Sequence, residues 1–253
     1  MRDPVVLAIF ESADDALQGT LAYHLYVKNV VRQLTIPHEL LDDKRRFQFE
    51  ITHEWARNFE VGEFFRHISD GMEFQHCRTM LLAILPYFEV ALRRIKRRLY
   101  ELGKLGTQAA VYSEPDYKPL LKWAFQTVQN TQAGSPTMRQ RLPQVCGDID
   151  NARRLRNCSV HDNNYFNESY TEDVISEHGV QPQFLRNHAV GQKIFLTNAR
   201  IEYFFYSHIE FLHMFHNTVQ RKFFQHDEDY NYEREGKTAE LWRMIAGRAD
   251  VRV

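Results

Sequence analysis

The chain contains little cysteine, and its few cysteines are far apart. Cys77, Cys146 and Cys158 are the only ones in 253 residues, and no two of them form a Cys-x-x-Cys pair. An odd and scattered set argues against a disulfide framework and against a structural zinc site. It is typical of proteins that fold in a reducing compartment.

Long apolar runs are also absent. Away from the N-terminus the longest purely apolar run is Met80 to Leu85, which Pro86 ends, whereas a membrane helix needs about 20 apolar residues. The stretch from Val5 to Phe10 is shorter than the core of a signal peptide, and Glu11 follows it directly. We therefore expect a cytoplasmic protein that has no membrane partner.

The chain has neither an excess of positive charge nor a common phosphate or nucleophile motif. Its formal net charge is −1, so affinity for a polyanion has to come from local basic clusters. A Gly-rich phosphate loop, a Gly-x-Ser-x-Gly elbow and a His-Glu-x-x-His motif are all missing; after His53 and Glu54, Arg57 takes the place of the second histidine. These absences argue against nucleotide hydrolysis and against a serine hydrolase.

What the chain does have is apolar residues at helical spacing. The spacing predicts a mainly α fold, a helical bundle with a small β-hairpin inserted after the helix that carries Arg156. The first predicted helix begins at Ser12, because Asp14 and Asp15 resemble first-turn acids, and it ends at Pro37. The others run over His38 to Phe59, Met72 to Leu102 with a kink or division at Pro86, Pro119 to Gln129, Pro136 to His161, and Asn198 to Phe224.

Turn signals divide the chain into three predicted parts. Residues 1–70 form a helical extension, because the Asp70-Gly71 pair marks a boundary. Residues 71–225 form the bundle, with the hairpin at 179–197 around the β-prone run Lys193 to Leu196. Residues 226–253 form an acidic loop and a short terminal helix.

The most distinctive stretch is Arg156-Asn157-Cys158-Ser159-Val160-His161, at the end of the helix that Pro136 starts. Arginine binds phosphate, asparagine donates and accepts hydrogen bonds, and histidine titrates near neutral pH, a set suited to cutting RNA without a metal. Arg221 and His226 repeat the bare spacing, but without the Asn after the Arg. The same residues also favour an ordinary helix end, because cations complement the dipole there and Asn tolerates the cap conformation.

Helix geometry separates this arginine from this histidine. Asn157 and His161 share a face, whereas Arg156 and His161 are about 140° apart around the axis and about 7.5 Å apart along it. Both can reach one phosphodiester if the helix ends near His161, or if a second copy faces the first across a two-fold axis. The spacing therefore predicts a homodimer with a composite active site.

This stretch, with Ile149, Ala152 and Leu155 before it and Asp162-Asn163-Asn164-Tyr165 after it, resembles the Arg-x4–6-His motif of the HEPN superfamily (higher eukaryotes and prokaryotes nucleotide-binding). The residue after the arginine is commonly Asn in that family, as here. The resemblance implies a bundle with the motif near the end of its third helix. It also implies a metal-independent endoribonuclease that needs no cofactor, of the kind found in toxin–antitoxin pairs, CRISPR effectors and phage defence.

The resemblance further implies a role for each motif residue. His161 abstracts the 2′-hydroxyl proton or protonates the leaving 5′-oxygen, Arg156 stabilises the charged phosphorane, and Asn157 orients His161 or the phosphate. The product is a 2′,3′-cyclic phosphate, and DNA is not cut. The expected partners are RNA, a second copy of the chain, and an antitoxin or a defence complex.

Two basic groups could guide RNA to this site. Arg153 and Arg154 precede the motif, and the helix after Pro86 carries Arg93, Arg94, Lys96, Arg97 and Arg98. On one surface they would form a patch that follows the phosphates, and Tyr165 could stack on unpaired bases. The alternatives are a solvated helix face for the cations and a covering role at the bundle end for the tyrosine.

Two other functions remain open. A HEPN-like bundle without activity would serve as a dimerisation or RNA-binding module. A ferritin-like di-iron bundle would use Glu-x-x-His pairs, which occur on predicted helices at Glu50/His53, Glu73/His76 and Glu210/His213. The second alternative also needs unpaired glutamates on two more core helices, and the sequence offers no convincing ones.

Overall fold

A computed structural model describes residues 3–33, 44–48, 58–106, 117–131, 136–161, 165, 191–226, 228 and 230. These residues are mainly helical, which confirms the predicted mainly α fold class. The elements are α1 (Pro4–Gln33), β1 (Arg46–Gln48), β2 (Asn58–Glu60), α2 (Val61–Glu101), α3 (Tyr117–Gln129), α4 (Pro136–His161) and α5 (Asn198–Phe224).

Helix α5 forms the centre of the structure. It contacts α1, α2, α3 and α4, and its fully buried side chains include Phe204, Phe205, Phe211 and Phe215. Phe211 lies edge-on to Phe88 of α2 and to Phe125 of α3. A helix whose broad apolar face packs against four other helices is typical of a protein core, so the predicted core helix is confirmed here.

Helix α1 begins at Pro4, and the predicted start at Ser12 is wrong. The carboxylate of Asp3 accepts hydrogen bonds of 2.9 Å from the backbone N–H groups of Val5 and Val6. Asp3 is therefore the N-cap, and proline is favoured directly after a cap because its missing N–H group is not needed there. Asp14, which suggested a helix start near Ser12, is buried inside the helix instead.

Helix α2 is continuous through Pro86, so a division at this residue is wrong, and the alternative of a kink stays a prediction. The exposed position of Pro86 gives the physical reason, because water can bind the carbonyl group that loses its helical partner. Gly71, the predicted end of the N-terminal extension, also lies inside α2. Helix α1 packs on α2 and α5, and its apolar side chains share one core with theirs.

Strands β1 and β2 pair antiparallel, with Arg46 opposite Glu60 and Phe47 opposite Phe59. The helix predicted for residues 38–59 is therefore wrong at the positions that the structure describes. Strands of three residues are too short to give an alternating pattern that outweighs an apparent helical one.

The predicted hairpin at 179–197 lies mostly outside the described residues and stays a prediction. In its described part, the backbone of Lys193 forms an isolated antiparallel bridge with Tyr165. The acidic loop and terminal helix predicted for residues 226–253 also lie outside the described residues, apart from His226, Glu228 and Tyr230.

Membrane insertion was not expected from the short apolar runs of the sequence. Within the described ranges, no helix combines the length and the apolar character that crossing a bilayer requires.

Candidate functional site

The predicted motif occupies the last turns of α4, where that helix packs against α2 and α5. Leu155, Cys158 and Ser159 are buried on the core side. Arg156 and Asn157 lie at the edge of that buried face and are half-buried, while Val160 and His161 are exposed. The helical period thus leaves the imidazole of His161 accessible at the last residue of the helix.

Arg156 and Asn157 line an open pocket between α2, α3 and α4. Nη1 of Arg156 donates a hydrogen bond of 3.2 Å to Oδ1 of Asn157, so the amide orients the guanidinium group. The pocket has a volume of about 240 Å³ and is lined by Leu85, Pro86, Glu89, Tyr117, Arg153, Arg156 and Asn157. His161 lies just over one turn further along α4 and is not among these residues.

Tyr117, the first residue of α3, brings a buried hydroxyl group to the pocket. Its oxygen has no hydrogen-bond partner among the residues that the structure describes. Burial and the nearby Glu89 carboxylate raise the pKa of Tyr117 well above its usual value, so the hydroxyl keeps its proton at neutral pH. The pocket therefore contains a neutral donor beside two guanidinium groups.

Asp150 organises the two arginines that precede the motif. Its buried carboxylate lies 2.8 Å from Nε of Arg153 and 2.8 Å from Nε of Arg154. Arg153 reaches the pocket, whereas Arg154 is only 3% exposed. The predicted RNA contact of Arg154 is therefore corrected: this side chain compensates a buried carboxylate, which is costly to bury without a cation.

The basic cluster of α2 is engaged by neighbouring side chains. The ion pairs join Arg93 to Glu89 at 2.7 Å, Arg97 to Glu101 at 3.0 Å and Arg98 to Asp3 at 3.1 Å. Lys96 lies over the ring of Trp123, and Arg94 is exposed. Arg93 pairs with Glu89, which lines the same pocket as Arg153, but Arg93 itself is not a lining residue.

The end of α4 is held by a residue that sequence reasoning missed. Nη2 of Arg78, in α2, donates a hydrogen bond of 3.0 Å to the carbonyl oxygen of Ser159, and a cation at this end complements the helix dipole. Glu89 and Tyr117 were not predicted as pocket residues either. Nothing in the sequence distinguishes Arg78 from a surface arginine or Tyr117 from a core tyrosine. Tyr165, predicted to stack on bases, is exposed.

In the two Glu-x-x-His pairs on described helices, each histidine forms a hydrogen bond with a different residue of α1. Nε2 of His76 lies 2.9 Å from Nδ1 of His24, and Nε2 of His213 lies 2.7 Å from Oδ1 of Asp14. In the described ranges no group of three or more His, Cys, Asp and Glu side chains could hold a metal ion. The third pair, Glu50 and His53, lies outside them.

Comparison with known proteins adds no assignment. No family model, no curated protein and no solved structure matches the chain.

Proposed function

We propose that the chain is a metal-independent endoribonuclease of the HEPN type, with Arg156, Asn157 and His161 in its active site. The observation that carries the proposal is the open pocket that Arg156 and Asn157 line, with the exposed imidazole of His161 just over one turn further along α4. A guanidinium group and an imidazole that meet at one phosphodiester are the groups that its cleavage by the adjacent 2′-hydroxyl requires.

The proposed reaction needs no external nucleophile. The 2′-oxygen attacks the adjacent phosphorus, His161 takes the 2′-proton, and a P–O2′ bond forms as the P–O5′ bond breaks. The 5′-oxygen leaves with a proton from a second imidazole, which gives a 2′,3′-cyclic phosphate and a 5′-hydroxyl. Arg156, oriented by its hydrogen bond to Asn157, stabilises the negative charge of the phosphorane.

A second copy of the chain supplies the second imidazole in this proposal. Arg156 lies on the pocket side of α4, and His161 lies about 7.5 Å further along the axis. Beside His161 the apolar side chain of Val160 is 43% exposed, as suits a surface that packs against a twin. The HEPN resemblance extends the proposal to a toxin or anti-phage role, with an antitoxin or a defence complex as a partner.

The test is RNA cleavage by the full-length chain in the presence of EDTA, with total RNA as substrate and with chemical analysis of the new ends. We expect cyclic-phosphate and 5′-hydroxyl ends. His161→Ala should reduce the rate by about 10² to 10⁴-fold because it removes the general base. Arg156→Ala should reduce it by about 10² to 10³-fold because it removes a donor to the transition state.

Two matched variants control for nonspecific effects. Arg141→Ala removes an exposed arginine of the same helix, and His226→Ala removes the histidine of the second Arg-x4-His spacing. Both should cut RNA at the wild-type rate. Cleavage that needs a metal, or that persists in His161→Ala, contradicts the proposal, and RNA binding without any cleavage would favour a non-catalytic module.

A further inference from the structure

The pocket beside Arg156 combines many hydrogen-bond donors with a single acidic acceptor. Its donors are the guanidinium groups of Arg153 and Arg156, the amide of Asn157 and the hydroxyl of Tyr117, and its acid is Glu89. Leu85 and Pro86 add an apolar wall. A flat, polar-edged ring suits such a lining, because its edge can offer acceptors to the guanidinium groups and N–H donors to Glu89, whereas a phosphate has no donor for Glu89.

The size of the pocket limits what it can hold. Sites for drug-sized ligands have volumes of about 300 to 1,000 Å³, and this pocket has about 240 Å³. It therefore suits one ring system rather than a whole nucleotide. Because Arg156 lies at the pocket and also at the proposed scissile phosphate, the ring would belong to a nucleotide that adjoins the cut.

Glu89 retains acceptor capacity toward the pocket. Nε and Nη2 of Arg93 donate to its Oε1 at 3.0 Å and 2.7 Å. A carboxylate has about four acceptor sites, so the pair with Arg93 fixes the side chain without using all of them. The hydroxyl of Tyr117 is a donor that can complement an acceptor of the ligand, since it is protonated, buried and without a described partner.

Among the four bases, guanine matches this set of groups best. Its O6 and N7 atoms accept hydrogen bonds side by side, and arginine donates to this pair more often than to any other base edge. Its N1 and N2 atoms carry the N–H groups that a carboxylate accepts. Adenine presents an amino group where guanine has O6, and uracil has a single N–H donor.

We infer that this pocket binds the guanine of an unpaired nucleotide next to the cleaved bond, an inference that rests on the proposed function. Glu89 accepts from N1 and N2, and Tyr117 and Arg153 donate to O6 and N7. The base has to be unpaired, because its pairing edge faces the protein. The chain is then a guanine-selective nuclease of single-stranded RNA.

The test measures binding apart from cleavage. The full-length chain is titrated calorimetrically with the 3′-monophosphates of guanosine, adenosine, cytidine and uridine, and with inorganic phosphate. We expect the guanosine ligand to bind about tenfold more tightly than the other three, because a good bidentate base contact discriminates by about that factor. Glu89→Gln should abolish the preference, and Tyr117→Phe should weaken guanosine binding several-fold.

Glu101→Gln is the matched control, because Glu101 forms the same kind of ion pair with Arg97 on the same helix, away from the pocket. This variant should keep the preference for guanosine. Equal binding of all four nucleotides, or of phosphate alone, overturns the inference whether or not RNA is cut. Guanine-selective binding lost in Glu89→Gln supports it, even for a chain that proves unable to cleave. Cleavage without guanine preference would support the proposed function and contradict the inference that the pocket binds a base.

Discussion

At the scale of single residues, the sequence predicted three residues of the candidate pocket, Arg153, Arg156 and Asn157, and missed Glu89 and Tyr117. Arg156, Asn157 and His161 were noticed because their residue types and spacing suit one reaction. What sets Tyr117 apart is a hydroxyl group without a described hydrogen-bond partner and a place in the same pocket as Arg153 of another helix. Neither property is encoded in a local pattern, since both arise from tertiary packing.

The unpartnered hydroxyl of Tyr117 predicts an unusual effect on stability. Tyr117→Phe should leave the free energy of unfolding unchanged or raise it by up to about 1 kcal/mol, because it removes a buried polar atom that gains nothing from a partner. Denaturation in urea measures this change directly.

Tyr230→Phe provides the comparison for this measurement. The hydroxyl of Tyr230 donates a hydrogen bond of 2.7 Å to Glu11, so its removal should lower the free energy of unfolding by about 1 to 2 kcal/mol. A larger loss in Tyr117→Phe than in Tyr230→Phe would show that the Tyr117 hydroxyl has a structural partner, and it would weaken the case for a ligand-binding role.

At the scale of elements, helix interiors were predictable and several boundaries were not. Helix α5 was predicted because its apolar residues are dense enough to indicate a buried helix. The start of α4 was predicted from Pro136, which is the first residue of that helix. The start of α1 was misplaced because Asp14 resembles a first-turn acid, although it is buried and paired with His213. A polar residue in a core is recognisable only from the element that packs on it.

The cap of α1 predicts how that helix responds to substitution and to acid. Asp3→Ala should lower the free energy of unfolding by about 1 to 2 kcal/mol, because it removes both the cap and the ion pair with Arg98. Asp3→Asn keeps a capping oxygen and should lose less than half of that. Urea denaturation at pH 7 measures both, and equal losses would mean that capping contributes nothing.

The same carboxylate gives a dependence on pH. Burial raises the pKa of Asp3, but the N–H groups of Val6 and Val5 and the Arg98 guanidinium outweigh it, so its pKa is lowered overall. The unfolded chain therefore binds this proton more readily than the folded one. The stabilisation by Asp3 is complete above pH 4 to 5 and is lost as the pH falls toward the lowered pKa, and the Asn variant should lack that dependence.

At the scale of the whole molecule, α5 brings together polar groups that lie far apart in sequence. Ser207 donates a hydrogen bond of 3.2 Å to Asp148 of α4, and His208 packs edge-on against Phe88 of α2. Burial is the main reason that the pKa of Asp148 is raised to about 6 and that the pKa of His208 is lowered to about 4. The sequence could not predict either shift, because each depends on which helices enclose the group.

These two shifts act on stability in opposite directions as the pH falls. Between about pH 6.5 and 4 the unfolded chain binds a proton at His208 that the folded chain does not, so acidification costs about 3 kcal/mol. Between about pH 6 and 4 the folded chain binds a proton at Asp148 that the unfolded chain does not, so acidification stabilises by about 3 kcal/mol. In the wild type the two contributions largely cancel.

Single substitutions should reveal each contribution alone. His208→Phe removes the titrating group and keeps a ring against Phe88, so its free energy of unfolding should rise relative to wild type as the pH falls from 6 to 4. Asp148→Asn should show the reverse, because the penalty at His208 is then unopposed. Urea denaturation at pH 7, 6, 5 and 4 measures both profiles. If both variants followed the wild-type profile, neither group would titrate differently in the folded and unfolded chains, and the enclosure of this core by five helices would be less complete than the structure indicates.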